Sequence, residues 1–176
     1  MQAIALGATF SALEVVPLTL MGFEIRENWN LLKGKKWIQA YKWPIYFFIA
    51  VAFWNFVGAG VFGFLINPPL ALYYIQGLNT TAVHAHTALF GVYGMLGMGF
   101  ILMCLRFYSN KAWDNKKLKR AFWFLNIGLV AMVLLSLLPI GIIQAYTSIT
   151  KGYSFARDAD LLYSPTIQTL KCFRMI

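Results

Sequence analysis

Two histidines, His84 and His86, are the residues whose type and spacing best suit chemistry, and the 176-residue sequence contains no others. On a helix, a separation of two residues turns the side chain through about 200°. The two imidazoles therefore point to opposite faces and cannot chelate one metal ion, which needs i, i+3 or i, i+4 spacing. Each can instead give one axial ligand to a different planar cofactor, with the helix between two hemes.

A structural role for the same residues stays open at this point. The histidines can be an interfacial pair near the lipid headgroups, hydrogen-bonded to water or to neighbouring helices. Four glycines follow them at 91, 94, 97 and 99. This small-residue run allows either the close approach of a macrocycle or the close contact of a second helix that small residues permit in lipid.

Glu14 is the second candidate, because it lies in the apolar stretch Phe10-Ser-Ala-Leu-Glu-Val-Val-Pro-Leu. A carboxylate inside a membrane span is costly unless it faces a cavity or a polar partner. Glu14 is then either a proton carrier or a structural carboxyl, bonded to a neighbouring helix or to the backbone that Pro17 frees.

The composition defines the class of protein that must position these residues. Hydrophobic residues make up 60% of the chain and charged residues only 12%, and the mean hydropathy is +0.63. A soluble domain carries about 25% charged residues. The sequence therefore predicts an all-α integral membrane protein, and excludes the soluble, disordered, collagen-like and disulfide-stapled classes.

Four stretches are long enough to cross a bilayer, which takes about 20 helical residues. They are residues 1–23, 44–66, 82–105 and 121–146. Pro44 suits the first turn of a helix, and Asn67-Pro68-Pro69 must end the second span. Polar Asn55 and Ser136 inside the spans are predicted to form interhelical hydrogen bonds.

The positive charges predict the orientation. The chain has 15 Lys and Arg residues and a net charge of +9. Five lie between spans one and two: Arg26, Lys33, Lys35, Lys36 and Lys42. None lies between spans two and three. Six lie between spans three and four: Arg106, Lys111, Lys116, Lys117, Lys119 and Arg120. The first and third loops are thus cytoplasmic. This clustering beside apolar runs indicates orientation signals rather than a nucleic-acid surface.

Two segments carry a resemblance to a known family: WNFVGAGVFGFLINPP at 54–69 and YYIQGLNTTAVHAH at 73–86. They resemble the catalytic subunit of bacterial nitric oxide reductase, most closely the quinol-dependent, single-chain type, in the heme-copper oxidase superfamily. The resemblance extends over nearly all of the chain. It implies a place in a twelve-helix-type bundle of the bacterial inner membrane, and a role in respiratory electron transport and denitrification.

The resemblance also implies roles for the candidate residues. His84 would be the proximal ligand of the high-spin heme b3, and His86 one axial ligand of the low-spin heme b. The segment around Glu14 resembles the family's helix eight, whose glutamate lies near the non-heme iron. Glu14 would tune that iron site or deliver protons while two NO are reduced to N2O and water.

The sequence also departs from the family's pattern. The family's iron-site histidines and the second histidine of heme b have no counterpart here. Since the chain ends at Phe173-Arg174-Met175-Ile176, as if another apolar segment were to follow, we expect a fragment of the same catalytic chain that alone does not turn over NO. Its partners would be the rest of that chain, quinol and membrane lipid.

Three alternatives remain at this stage. An oxygen-reducing heme-copper oxidase shares the H-x-H helix, although its copper centre does not keep a glutamate in the place of Glu14. A transporter or assembly subunit would use the histidines for protons or for nothing. A pure electron-transfer cytochrome b would need two histidines on each heme.

Overall fold

The computed structural model describes residues 6–7, 9–10, 13, 15–32, 35–109 and 112–174. This part of the chain is helical and contains no β-strand. The helices are α1 (Val15–Leu32), α2 (Lys36–Ala40), α3 (Lys42–Ile66), α4 (Pro69–Ile75), α5 (Asn79–Tyr108), α6 (Asn115–Lys151), α7 (Ala159–Leu162) and α8 (Pro165–Cys172), with a short 3-10 turn over Phe155–Arg157.

Three helices in the described residues are long and apolar enough to cross a membrane: α3, α5 and α6, of 25, 30 and 37 residues. They contain the predicted spans 44–66, 82–105 and 121–146 and confirm an all-α, multi-pass membrane protein. Helices α5 and α6 extend beyond their apolar runs at both ends, and α3 does so at its start. Polar residues can continue a helix through the headgroup region because that region, unlike the hydrocarbon core, solvates them.

The first predicted span, residues 1–23, is described only in part. Helix α1 runs past Phe23 to Leu32 through Glu24, Arg26 and Glu27. The end of an apolar run therefore does not mark the end of this helix. Much of the predicted span, including Glu14, lies outside the described residues. Helix α1 packs against the Phe56–Phe62 segment of α3.

Prolines form the boundary between α3 and α5, as the sequence predicts. Helix α3 ends at Ile66, and Pro68 with φ of −52° and ψ of 139° turns the chain into the short helix α4. Gly77, with φ of +70°, provides the left-handed turn before α5. A side chain there would also meet the Arg157 guanidinium, so glycine suits both the backbone and the space.

Helix α5 packs on α3 along its length and on α6 near its start. The buried core between the three helices is built from apolar side chains, chiefly Phe47, Trp54, Val83, Met95 and Leu137. All three helices change to wider π-helical hydrogen bonding at mid-length, over Phe56–Phe62, Leu89–Gly94 and Val133–Leu137. Such wide turns are rare and occur often at functional sites.

Two indole–amide hydrogen bonds join α3 to α6. The Trp43 Nε1–H donates to Asn115 Oδ1 and the Trp54 Nε1–H to Asn126 Oδ1, each at 2.8 Å. The two residues of each pair are 72 positions apart in sequence. The separation is the same for both pairs because α3 and α6 run parallel and keep one register. In lipid, an indole N–H without a partner is unfavourable, so these bonds favour a single alignment.

Gly91 permits a close contact between α5 and α3. A Cβ at Gly91 would lie 2.7 Å from both Cβ and Cγ of Trp54, whereas a Cβ at Gly97 would have no neighbour within 4 Å. Gly91→Ala should therefore destabilise the protein by about 1–3 kcal/mol through overpacking. Gly97→Ala on the same helix is the matched control and should leave stability unchanged or slightly higher.

The measurement is the free energy of unfolding in mixed detergent micelles, followed by tryptophan fluorescence. Equal stability of Gly91→Ala and Gly97→Ala would contradict the described packing of α3 on α5.

Candidate functional site

Both histidines lie within the first three turns of α5, whose start is held by α6. The Asn79 backbone N–H donates to Gln144 Oε1 at 2.9 Å, and Asn79 Nδ2 donates to the same oxygen at 2.6 Å. Gln144 is buried and its own Nε2 donates to Ala156 O. A side chain of α6 thus caps a free N–H at the start of α5, which fixes the position of the histidines relative to α6.

The His84 imidazole points to α3. Its Nδ1 lies 2.7 Å from the backbone oxygen of Gly58, and the side chain is half-buried. A carbonyl oxygen only accepts hydrogen bonds, so Nδ1 must carry the proton. In the neutral ring, the other nitrogen, Nε2, has a free lone pair.

Gly58 permits this approach because it has no side chain. A Cβ there would lie 2.6 Å from Thr87 Oγ1 and 2.9 Å from the backbone nitrogen of Ala88. Thr87 is fully buried and its hydroxyl donates to Val83 O at 2.7 Å. The backbones of α3 and α5 therefore meet one turn after His84, within the wide turn of α3.

The His86 imidazole lies on another side of α5, and is exposed. Its Nδ1 is 2.8 Å from the carbonyl oxygen of Ala82, one turn earlier in the same helix. His86 lines a groove of about 370 Å³ toward α6, whose other described lining residues are Phe90, Phe124, Leu125, Gly128, Leu129, Met132 and Arg174. The structure thus brings His84 and His86 to different helix–helix gaps, as their spacing predicts.

The two histidines share one feature that suits an axial heme ligand. In each, Nδ1–H donates to a backbone carbonyl, which leaves Nε2 as the nitrogen with a lone pair. Histidines that bind metals usually have their other ring nitrogen held in this way, which fixes the tautomer and the ring orientation. The residues present therefore fit one iron ligand on each side of α5.

The described residues do not contain a separate metal cluster. No group of three or more His, Cys, Asp and Glu side chains comes together in ranges 15–32, 35–109 and 112–174. Glu14, the predicted neighbour of a non-heme iron, lies outside the described residues.

Comparison with known proteins identifies the family. A family model described as "Cytochrome C and Quinol oxidase polypeptide I" matches residues 1–176. The chain belongs to this family. It comprises the heme-copper oxidase polypeptide I proteins, which are membrane-embedded helical oxidoreductases that hold hemes and a further metal.

A curated relative is more specific. A nitric oxide reductase chain of Stutzerimonas stutzeri is 28% identical over 145 residues, covering 80% of this chain and 30% of the relative. The chain thus spans less than a third of the length of that relative.

The sequence analysis did not predict two features of the site around His84 and His86. One is the close contact at Gly58, which the run Gly58-Ala59-Gly60 could have indicated. The other is the position of Arg174, which lines the same groove as His86 of α5. Arg174 lies far from His86 in sequence, and no local pattern indicates that both line one groove.

The glycines after the histidines serve helix packing at two positions. A Cβ at Gly91 would meet Trp54, and a Cβ at Gly99 would lie 2.7 Å from the Phe48 ring. The structural interpretation of these two is therefore confirmed. A Cβ at Gly97 would have open space around it.

Arg174 links the tail to the groove beside His86. Its Nε donates to Ser136 Oγ at 3.1 Å, and one of its terminal nitrogens donates to Asn79 Oδ1 at 2.5 Å. Ser136 is completely buried, and its partner lies in the tail after the last helix, whereas the sequence predicts an interhelical bond. Burial lowers the pKa of the Arg174 guanidinium from its usual value; the group stays a cation at neutral pH.

Arg174→Met should destabilise the protein by about 1–3 kcal/mol, because the buried Ser136 hydroxyl and the Asn79 amide oxygen lose their donor. Arg120→Met is the matched control: Arg120 is exposed and has no described partner, so the change should stay within about 0.5 kcal/mol. Chemical unfolding in detergent, monitored by circular dichroism, distinguishes the two. Equal effects would show that the Arg174 contacts do not hold the tail.

Proposed function

We propose that this chain forms part of a membrane nitric oxide reductase, which reduces two NO to N2O and water with two electrons from quinol and two protons. His84 would be the axial ligand of heme b3 and His86 one axial ligand of heme b. The rest of the catalytic bundle would supply the second histidine of heme b and the histidines of the non-heme iron. The protein would lie in the bacterial inner membrane and serve denitrification.

The observation that carries the proposal is that both imidazoles are hydrogen-bonded through Nδ1 and have Nε2 available. Each has Nδ1 bonded to a carbonyl, at 2.7 Å for His84 and 2.8 Å for His86, and the rings lie on different sides of one helix. A heme bound at each Nε2 would supply redox-active iron. Two ligands in one helix, only about 3 Å apart along its axis, would hold the two hemes at fixed separation for electron transfer.

The choice of reaction rests on the relative. The family as a whole includes oxidases, whereas the curated protein matched over 80% of this chain is a nitric oxide reductase chain. The alternative is an oxygen-reducing heme-copper terminal oxidase, which the family description itself favours. The two differ in substrate and in the metal next to the high-spin heme.

The test uses the native complex, purified from membranes through an affinity tag on this chain. With a quinol donor it should consume NO and form one N2O per two NO, and it should contain iron without stoichiometric copper. Elemental analysis and an NO electrode make the two measurements. Oxygen consumption together with one copper per two hemes would instead establish the terminal oxidase.

Glu14 is the third proposed site residue, near the non-heme iron or on the proton route. Glu14→Gln in the native complex should lower NO turnover while the heme content stays unchanged, since the amide keeps the size but cannot carry a proton. Glu27→Gln is the matched control, because Glu27 is exposed on α1, past the apolar run. Unchanged turnover of Glu14→Gln would overturn this role.

A further inference from the structure

Three cations form an unpaired cluster at the start of α6. Lys116, Lys119 and Arg120 follow the i, i+3, i+4 spacing of one helix face, and all are exposed. Among the residues that the structure describes, none of these side chains forms a hydrogen bond or an ion pair. Lys117, on another face, is 3.6 Å from the Asp114 carboxylate instead. The cluster is therefore free to bind an anion.

The cations stand at the head of an apolar surface. They line an open depression of about 690 Å³ together with Trp123, Phe124 and Ile127. These side chains continue the same face of α6 over its next two turns, and Trp123 and Ile127 are each more than half exposed. Along the helix the cations come first and the apolar side chains follow. A lipid has the same order, with its headgroup first and its acyl chain after it.

An apolar groove between α3 and α6 continues from this depression. It has a volume of about 410 Å³, shares Trp123 and Ile127 with the depression, and is also lined by Ile49, Ala50, Phe53, Trp54, Phe122, Asn126 and Val130. Asn126, its polar lining residue, already accepts from Trp54 and donates to Phe122 O, both at 2.8 Å. The groove therefore suits a hydrocarbon chain.

We propose that this surface binds one anionic phospholipid of the cytoplasmic leaflet. The phosphate would lie on Lys116, Lys119 and Arg120, which the distribution of positive charges places at the cytoplasmic headgroup level. One acyl chain would pass Trp123 into the groove between α3 and α6. A free phosphate would leave the apolar surface unused, and a neutral lipid or quinol would leave three cations unpaired.

The test measures which lipid stays on the full chain after extraction from bilayers of equal parts phosphatidylcholine and phosphatidylglycerol. Native mass spectrometry should find one phosphatidylglycerol, enriched at least about tenfold over phosphatidylcholine, as attraction of three cations to an anionic lipid predicts. The triple variant Lys116→Gln, Lys119→Gln, Arg120→Gln should lose this enrichment. The charge-matched control Lys35→Gln, Lys36→Gln, Lys117→Gln should keep it.

A second variant tests the acyl groove without changing any charge. Ile127→Trp fills part of the groove from an exposed position and should lower phosphatidylglycerol retention. Added inorganic phosphate should leave the bound lipid in place.

Three results would overturn the proposal. One is equal retention of both lipids by the wild-type chain; another is enrichment that survives the triple variant. The third is displacement of the lipid by phosphate, which would indicate a simple anion site.

Discussion

The hydrogen bond from His84 to the Gly58 carbonyl is the interaction on which the arrangement of this protein depends. It requires α3 and α5 to approach closely, which glycine at position 58 allows, and it lies within the wide turn over Phe56–Phe62. A carbonyl oxygen has two lone pairs, so it can accept from an imidazole as well as serve its own helix. The bond turns one ring nitrogen toward α3 and leaves the other, Nε2, as the nitrogen that we propose binds heme iron.

The remaining contacts keep α5 in place between its neighbours. Gln144 of α6 caps its start, and Trp54 packs against it at Gly91 while bonding to Asn126 of α6. Within a membrane, such polar contacts favour one register because the helices have no hydrophobic drive to associate. The same α3–α6 pairing leaves on its outer side the groove that we assign to a lipid acyl chain. The proposed cofactor sites and the proposed lipid site thus depend on one helix alignment.

Much of the fold could be predicted from composition and periodicity. Apolar runs located α3, α5 and α6, prolines located the end of α3, and the i, i+2 spacing placed His84 and His86 on different sides of α5. These signals are local. The partners of the histidines were not predictable, since Gly58 meets His84 only after packing and Arg174 reaches the groove from the tail. The length of α1 was not predictable from its apolar run, because polar residues continue the helix to Leu32.

The most direct test of the account is the heme content and spin state of the native complex carrying His84→Ala or His86→Ala. Ferric electron paramagnetic resonance and pyridine hemochrome spectra report both. The account predicts that His84→Ala loses the high-spin b-type heme, that His86→Ala loses the low-spin one, and that Thr150→Ala on α6 retains both. Retention of both hemes in either histidine variant would contradict the assignment of one heme to each side of α5.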